Sequence, residues 1–336
     1  LSTLSPKILV IRFSSIGDIV LTTPVLRGLK NQLGAKVHFL TKAAYADIIR
    51  PNPNVDKVIV LDSSLVVTLE DLKKEAYDHI IDLHHNLRSL RIKLSLGVPA
   101  KSFRKLNVEK WLLTNLKINQ LPTVHIVDRY LETVSPLGVK NDGKGLDFFF
   151  TDYPSDSHRA SSDFQPGADY IAFAIGAAHA TKRLPVEKII AICSQLDYPV
   201  HLLGGPGDQN AGDTIAAACH QVINHCGHLS LEGSAKIVRG AAVVISHDTG
   251  MMHIAAALRK PILSIWGNTV PAFGMWAYYP EGIDLHQRFE VKDLACRPCS
   301  KIGYDRCPKG HFRCMKQQDV RLIVKQAKQI LKKLDS

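Results

Sequence analysis

The sequence predicts an α/β protein built as two successive parallel-sheet units, and three observations lead there. Short β-rich apolar runs alternate with stretches of helical spacing, the pattern of βαβ units around a parallel sheet. A polar segment, TDYPSDSHRASSDFQPGAD at 151–169, interrupts the alternation, which then restarts. The chain has 336 residues, roughly twice a usual domain of about 150. Domains at 1–155 and 168–336 follow, joined by a linker at about 156–167.

The elements can be justified in order. KILVIRF (7–13) is a first strand that stops at Ser14-Ser15, and IVLTTPVLRGLKNQLG is a helix that ends at Gly34. KVHFLTK, VDKVIVLD and HIIDLHH repeat the strand signal, with AAYADIIRP and LEDLKKEAYD between them as helices. In the second half YIAFAIG, YPVHLLGG, VINHCG, AVVISHD and PILSIWG read as strands. VEKIIAICSQL, the stretch around NAGDTIAAACHQ, EGSAKIVRGA and MMHIAAAL read as the helices between them. The tail KQQDVRLIVKQAKQILKKL (316–334) is amphipathic and predicts a closing helix.

Composition excludes several classes. With 46% hydrophobic and 22% charged residues, the chain is globular rather than disordered, collagenous or coiled coil. No apolar stretch approaches the ~20 residues of a spanning helix. The start LSTLSPKILVIRF lacks a charged region followed by a long apolar one, so a cytoplasmic protein is expected. An odd count of seven cysteines agrees with reduced thiols. Net charge is +11, and residues 1–150 carry 21 basic against 14 acidic side chains. Between 86 and 117 eight basic residues, from Arg88 to Lys117, meet Glu109 alone, which suits an anionic partner.

Ligands of open parallel sheets bind beyond the C-terminal ends of strands, so the loops there hold the candidate chemistry. Ser14-Ser15-Ile16-Gly17-Asp18 follows the first strand. Asp18 reads either as a helix-start residue or as a carboxylate able to accept a proton. His247-Asp248-Thr249-Gly250 lies between a strand and a helix, where free N–H groups and the Thr249 hydroxyl suit a phosphate. Asp248 would instead hold the loop or bond a hydroxyl or ammonium. His253, on the helix's first turn, reads equally as a ligand or as a core histidine. The loop from Gly176 to Pro185 carries Lys182 and Arg183, cations that could neutralise a diphosphate. Leu202 to Asp208 is glycine-rich but fits neither G-x-G-x-x-G nor the P-loop, which weakens dehydrogenase and NTPase readings. Cys296, Cys299, Cys307 and Cys314 contain one C-x2-C pair. They read either as a structural zinc site or as reduced thiols in a loop.

Together these loops resemble glycosyltransferase family 9, the ADP-heptose:lipopolysaccharide heptosyltransferases. The resemblance rests on KILVIRFSSIGDIVLTTPVL and HDTGMMHIAAALRKPILSIWGNT, with IDLHHNLRS, HIVDRYL, the KRLP turn and LLGGPGD in order between them. It implies a GT-B fold, two Rossmann-like domains facing across a cleft, the first binding acceptor and the second nucleotide sugar. By resemblance Asp18 is the general base, and Ser15 and Gly17 line the acceptor side. Thr181, Lys182, Asp248, Thr249, Gly250 and His253 fall at the donor. The family's acceptors are anionic inner-core saccharides on lipid A, which would suit Arg88, Arg91 and Arg104. Leu184 and Met251 stand where the family often has Trp and Pro, and the segment Asn268–Met275 with the cysteines after it is not shared by all members.

The implied reaction is an inverting, metal-independent transfer of heptose from ADP-heptose, with no required cofactor and with peripheral contact at the inner face of the cytoplasmic membrane. A transferase or epimerase of the same fold acting on another nucleotide sugar is the alternative enzyme. A basic nucleic-acid binder is the alternative outside enzymes, although no recognised nucleic-acid motif accompanies the charge.

Overall fold

The computed structural model describes residues 5–151 and 170–332. The linker expected at about 156–167 lies outside the described residues. The chain forms two compact units. The first holds the residues up to Lys105 together with Val124–Thr151, and the second holds Leu106–Thr123 together with the chain beyond Thr151.

The first unit contains strands β1 (Lys7–Ile11), β2 (Lys36–Lys42), β3 (Lys57–Leu61), β4 (His79–Asp82) and β5 (Ala100–Ser102). They form one parallel sheet in the order β3-β2-β1-β4-β5. As the central strand, β1 is covered on both faces, and Ile8 to Ile11 are wholly buried, which is why its sequence is a continuous apolar run rather than an alternation. Helices α1 (Ile16–Val20), α2 (Thr23–Leu33), α3 (Ala43–Ile49), α4 (Leu65–Lys74) and α5 (Leu87–Leu96) connect the strands, and α6 (Asn107–Trp111) follows β5 but belongs to the second unit. Gly34 ends α2 in the left-handed conformation at φ +64°, which a side chain would resist. Helix α7 (Ile126–Leu131) returns the chain to the first unit. Beyond it Asp142 and the Gly145 carbonyl accept from the buried Arg27 guanidinium at 2.6–2.8 Å, and Asp147 accepts from it as well.

The second unit contains β6 (Ile171–Ala174), β7 (Val200–Leu203), β8 (Val222–Asn224), β9 (Val243–His247), β10 (Ile262–Trp266) and β11 (His286–Glu290). Their parallel order is β11-β10-β9-β6-β7-β8, the doubly wound Rossmann arrangement. Helices α8 (Val186–Cys193), α9 (Gln209–Ala218), α10 (Leu231–Gly240) and α11 (Gly250–Ala257) fill the crossovers. A short α12 (Arg313–Lys316) precedes α13 (Val320–Lys332). The closing helix expected from 316 therefore begins four residues later, where Asp319 caps it by accepting from the Leu322 N–H at 3.0 Å. Its Ile323, Val324, Ala327 and Leu331 join the core around Phe173, Ile245 and Ile265. This pair of Rossmann-like units gives the chain its GT-B class.

The segment Leu106–Thr123 is the difference from the expected boundaries, since a linear reading leaves it in the first domain. Lys117 explains its attachment. Its ammonium donates to the carbonyls of Cys296 at 3.2 Å and Pro298 at 2.6 Å.

Candidate functional site

The topology fixes where ligands can sit. In the first sheet the winding reverses between β1 and β4, so the crevice lies between the loops after those two strands. After β1, Asp18 is the third residue of α1, and its Oδ2 accepts from the Ser15 hydroxyl at 2.8 Å and the Ser15 N–H at 3.3 Å. This is the helix-start role. The other oxygen, Oδ1, pairs with Arg12 Nη2 at 2.7 Å.

Arg12 is the organising residue of this crevice, and motif reading did not single it out. Its buried guanidinium also donates to the Ser14 carbonyl at 2.7 Å, the Leu83 carbonyl at 2.5 Å and the Tyr130 hydroxyl at 2.9 Å. Burial disfavours its charge, and Asp18, Tyr130 and Asp82 together more than offset that cost. A cation ending the apolar run KILVIRF is the signal that could have found it.

Beyond β4, Asp82 is fully buried and accepts from the backbone of His84 and His85 at 3.0 and 2.6 Å, from Ser89 at 2.8 Å and from Lys93 at 2.9 Å. Burial alone would raise its pKa, but the Lys93 and His85 bonds hold it below the usual carboxylate range. Lys93 is thus committed to the core and is not part of a free basic face.

The basic stretch from Arg88 to Lys117 is divided. Arg88, Arg91, Lys101 and Arg104 are exposed in the first unit, while Lys110 and Lys117 belong to the second. On α5 the arginines alternate with Leu87, Leu90 and Leu94, exposed by 81%, 43% and 74%.

In the second unit the loops after β6 and β9 meet across the reversal between those strands. Lys182 Nζ pairs with Asp248 Oδ2 at 2.7 Å and donates to the Asp248 carbonyl at 3.2 Å. Asp248 Oδ2 also accepts from Thr269 at 2.8 Å. The aspartate therefore bonds an ammonium and holds its loop, while Thr249 and Gly250 open α11 beside it. His247 is wholly buried, and its Nε2 accepts from the Leu184 N–H at 3.0 Å. Burial, with Arg183 adding to it, pushes this imidazole down to about 3. His253 is buried on α11.

Thr181 is placed differently from Lys182. It is buried, and its hydroxyl accepts from the Tyr304 N–H at 2.8 Å and reaches the Tyr304 carbonyl at 3.1 Å. Arg183 turns to Asp208 at 3.1 Å and to the Ala177 carbonyl. Gly176 is required by close approach, since a Cβ there would lie 2.3 Å from Asp208 Oδ2.

The cysteines do not assemble a metal site. Among the described residues no three His, Cys, Asp or Glu side chains converge as one. Cys296 reaches His311 Nε2 at 3.7 Å. Burial, together with the neighbouring thiols, raises the pKa of Cys299 and pushes Cys314 up to about 11, so these two thiols stay protonated. A separate cavity of about 580 Å3 lies in the same unit, lined among others by Trp276, Tyr279, Asp284 and Arg288. Pro271 and Ala272 of the segment Asn268–Met275 line it, and none of the candidate donor or acceptor residues does.

No helix among the described residues is long and apolar enough to cross a membrane. The chain is 27% identical over 324 residues to lipopolysaccharide heptosyltransferase 1 of Pseudomonas aeruginosa, covering 88% of this chain and 86% of the relative. Its fold is that of a family 9 glycosyltransferase from Veillonella parvula, with a TM-score of 0.77, 21% identity and 99% of both chains covered. It also matches E. coli ADP-heptose LPS heptosyltransferase II, with a TM-score of 0.73, 19% identity, and 98% and 100% covered. The model of glycosyltransferase family 9 (heptosyltransferase) matches residues 67–296, a span that runs from the β4 crevice through the Lys182–Asp248 pair, and the chain accordingly belongs to that family of glycosyltransferases.

Proposed function

We propose that the protein transfers a heptose from ADP-heptose to a lipid A-linked inner-core saccharide of lipopolysaccharide, with inversion and without a catalytic metal. The observation that carries this reading is the Lys182–Asp248 pair beside the start of α11. An ammonium held by one carboxylate, next to free helix N–H groups, can exchange that partner for a diphosphate. The names of the relatives supply the sugar and the class of acceptor.

In this reading Asp18 is the base. Arg12 holds the carboxylate in place through Oδ1. The acceptor oxygen attacks the anomeric carbon as Asp18 takes its proton. The bond from that carbon to the diphosphate breaks, and ADP leaves with its charge met by Lys182, Thr249 and the α11 N–H groups. Ser15 and Gly17 line the acceptor side. The arginines and exposed leucines of α5 provide a peripheral contact for the inner face of the cytoplasmic membrane, consistent with a cytoplasmic enzyme.

Calorimetric titration of ADP, UDP and GDP, with and without EDTA, tests the donor. Selective ADP binding that survives chelation is expected, and selective UDP binding would point to another nucleotide sugar. Asp18→Asn should lower transfer by about 100-fold or more with ADP affinity unchanged. Near wild-type transfer by that variant would remove the base from the mechanism, and conversion of donor without acceptor would make the protein an epimerase.

A further inference from the structure

If Lys182 turns to a diphosphate it leaves a carboxylate behind, and Thr269 already holds that carboxylate. The Asp248 side chain is only 11% exposed, and its Oδ2 takes two donors, the Lys182 ammonium at 2.7 Å and the Thr269 hydroxyl at 2.8 Å. Once the ammonium has gone, the hydroxyl is the donor that stays. A carboxylate so enclosed has little water to replace a lost partner, so a hydrogen bond retained from the protein counts for more than it would at an open surface.

The two donors differ in how they are held. Lys182 reaches Asp248 from the end of a flexible four-carbon stem. Thr269 is buried in the loop after β10, whose backbone is pinned from the far side by residues 297–299. The Arg297 guanidinium donates to the carbonyls of Gly267 at 2.5 Å and Thr269 at 2.9 Å, and the Cys299 N–H donates to that of Asn268 at 3.2 Å. Arg297 has a side chain 8% exposed and is fixed in turn by Glu290, the last residue of β11, at 2.7 Å. Three successive carbonyls of the loop are thus occupied, and none of those bonds involves Lys182 or Asp248. The loop that presents the hydroxyl is therefore secured independently of the ion pair.

We propose that Thr269 is a positioning residue for donor binding, whose hydroxyl holds the Asp248 carboxylate after Lys182 has left it for the donor diphosphate. This rests on the reading of Lys182 as the cation that meets the diphosphate. In the free protein the carboxylate has both donors, and in the ADP complex it keeps Thr269. Removing the hydroxyl therefore harms the complex more than the free protein, and ADP binds more weakly. Where Lys182 is absent, Asp248 depends on Thr269 equally in both states, and the hydroxyl should make no difference to affinity. A hydroxyl that only built the loop would matter alike with and without Lys182.

The test is a double-mutant cycle on the full chain, with ADP as the titrated probe. Thr269→Val keeps the shape of the side chain and removes the hydroxyl, whereas Thr269→Ser keeps the hydroxyl. Thr269→Val should raise the ADP Kd about five- to tenfold in the otherwise wild-type protein, and less than about twofold on top of Lys182→Ala. Thr269→Ser should stay within about threefold of wild type. If the Val variant does not fold, Thr269→Ala against Thr269→Ser carries the test in both backgrounds, since both lack the methyl and only Ser has the hydroxyl. Val equal to wild type, Ser no better than Val or Ala, or a loss of the same size with and without Lys182 overturns the assignment and leaves Thr269 a loop residue. Wild type that does not bind ADP, or Lys182→Ala that binds it as wild type does, overturns the donor reading of Lys182 and this assignment with it.

Discussion

At the strand ends of the first unit a carboxylate meets a guanidinium, and at those of the second a carboxylate meets an ammonium. Arg12 is nearly enclosed and spreads its donors over Asp18, Ser14, Leu83 and Tyr130. Lys182 has a side chain 17% exposed, and among the described residues it bonds Asp248 alone, through Oδ2 and the backbone carbonyl. A rigid, planar fork committed to several acceptors holds a site together, whereas a flexible point charge with one partner can change partners. In the proposed mechanism the first pair stays closed while its carboxylate works, and the second opens onto an anion.

The largest expected effect falls on the closed pair. Arg12→Met should destabilise the first unit by about 3–5 kcal/mol in urea unfolding, since it leaves Asp18, the Leu83 carbonyl and the Tyr130 hydroxyl without their cation. The double variant with Asp18→Asn should recover part of that loss, because the stranded charge is gone. Lys182→Ala inverts the pattern. Its unfolding midpoint should move by less than about 1 kcal/mol in equivalent stability, while ADP affinity falls about tenfold or more. A large stability loss there would erase the contrast between the pairs.

Acid sharpens the comparison further. His84 and His247, one in each unit, are held down to about 4 and about 3 by burial first and by arginine second. Between about pH 6.5 and their folded values of about 4 and about 3 the unfolded chain binds protons that these folded imidazoles refuse, so stability is intact above that window and falls as pH drops through it. The urea midpoint should decline over this range, and His247→Gln should flatten the slope of the second unit's transition. The smallest effect expected is that of chelation. EDTA should leave ADP affinity within error, measured by the same titration, because the anion partners in this reading are Lys182, Thr249 and backbone N–H groups.

Much of this arrangement is legible in the residues. Strands buried on both faces, such as β1, β6, β9 and β10, are written as continuous apolar runs, and the polar loops after them are where Asp18, Lys182 and Asp248 stand. Less regular elements are not so written. HQRFE of β11 lies at a sheet edge, and AKS of β5 is three residues long, so neither needs an apolar pattern. On α5 the apolar residues Leu87, Leu90 and Leu94 face outward rather than toward the core. Pairings across the fold are illegible for a different reason. Nothing local in the chain announces that Arg12 meets Asp18 and Leu83 at once, that Thr181 spends its hydroxyl on Tyr304, or that Lys93 is taken by Asp82. Those contacts exist only after the strands are ordered.

The excursion of Leu106–Thr123 into the second unit also imposes a timetable on synthesis. Leu106 and Leu113 are buried there, and Lys117 is seated on carbonyls of Cys296 and Pro298. On the ribosome this segment emerges before any strand of the sheet it joins, so the first unit can assemble while an apolar stretch between two of its own pieces waits for its seat. A nascent chain stopped after Thr151 would carry that stretch uncovered, making it the natural place for a chaperone to hold and for a protease to cut.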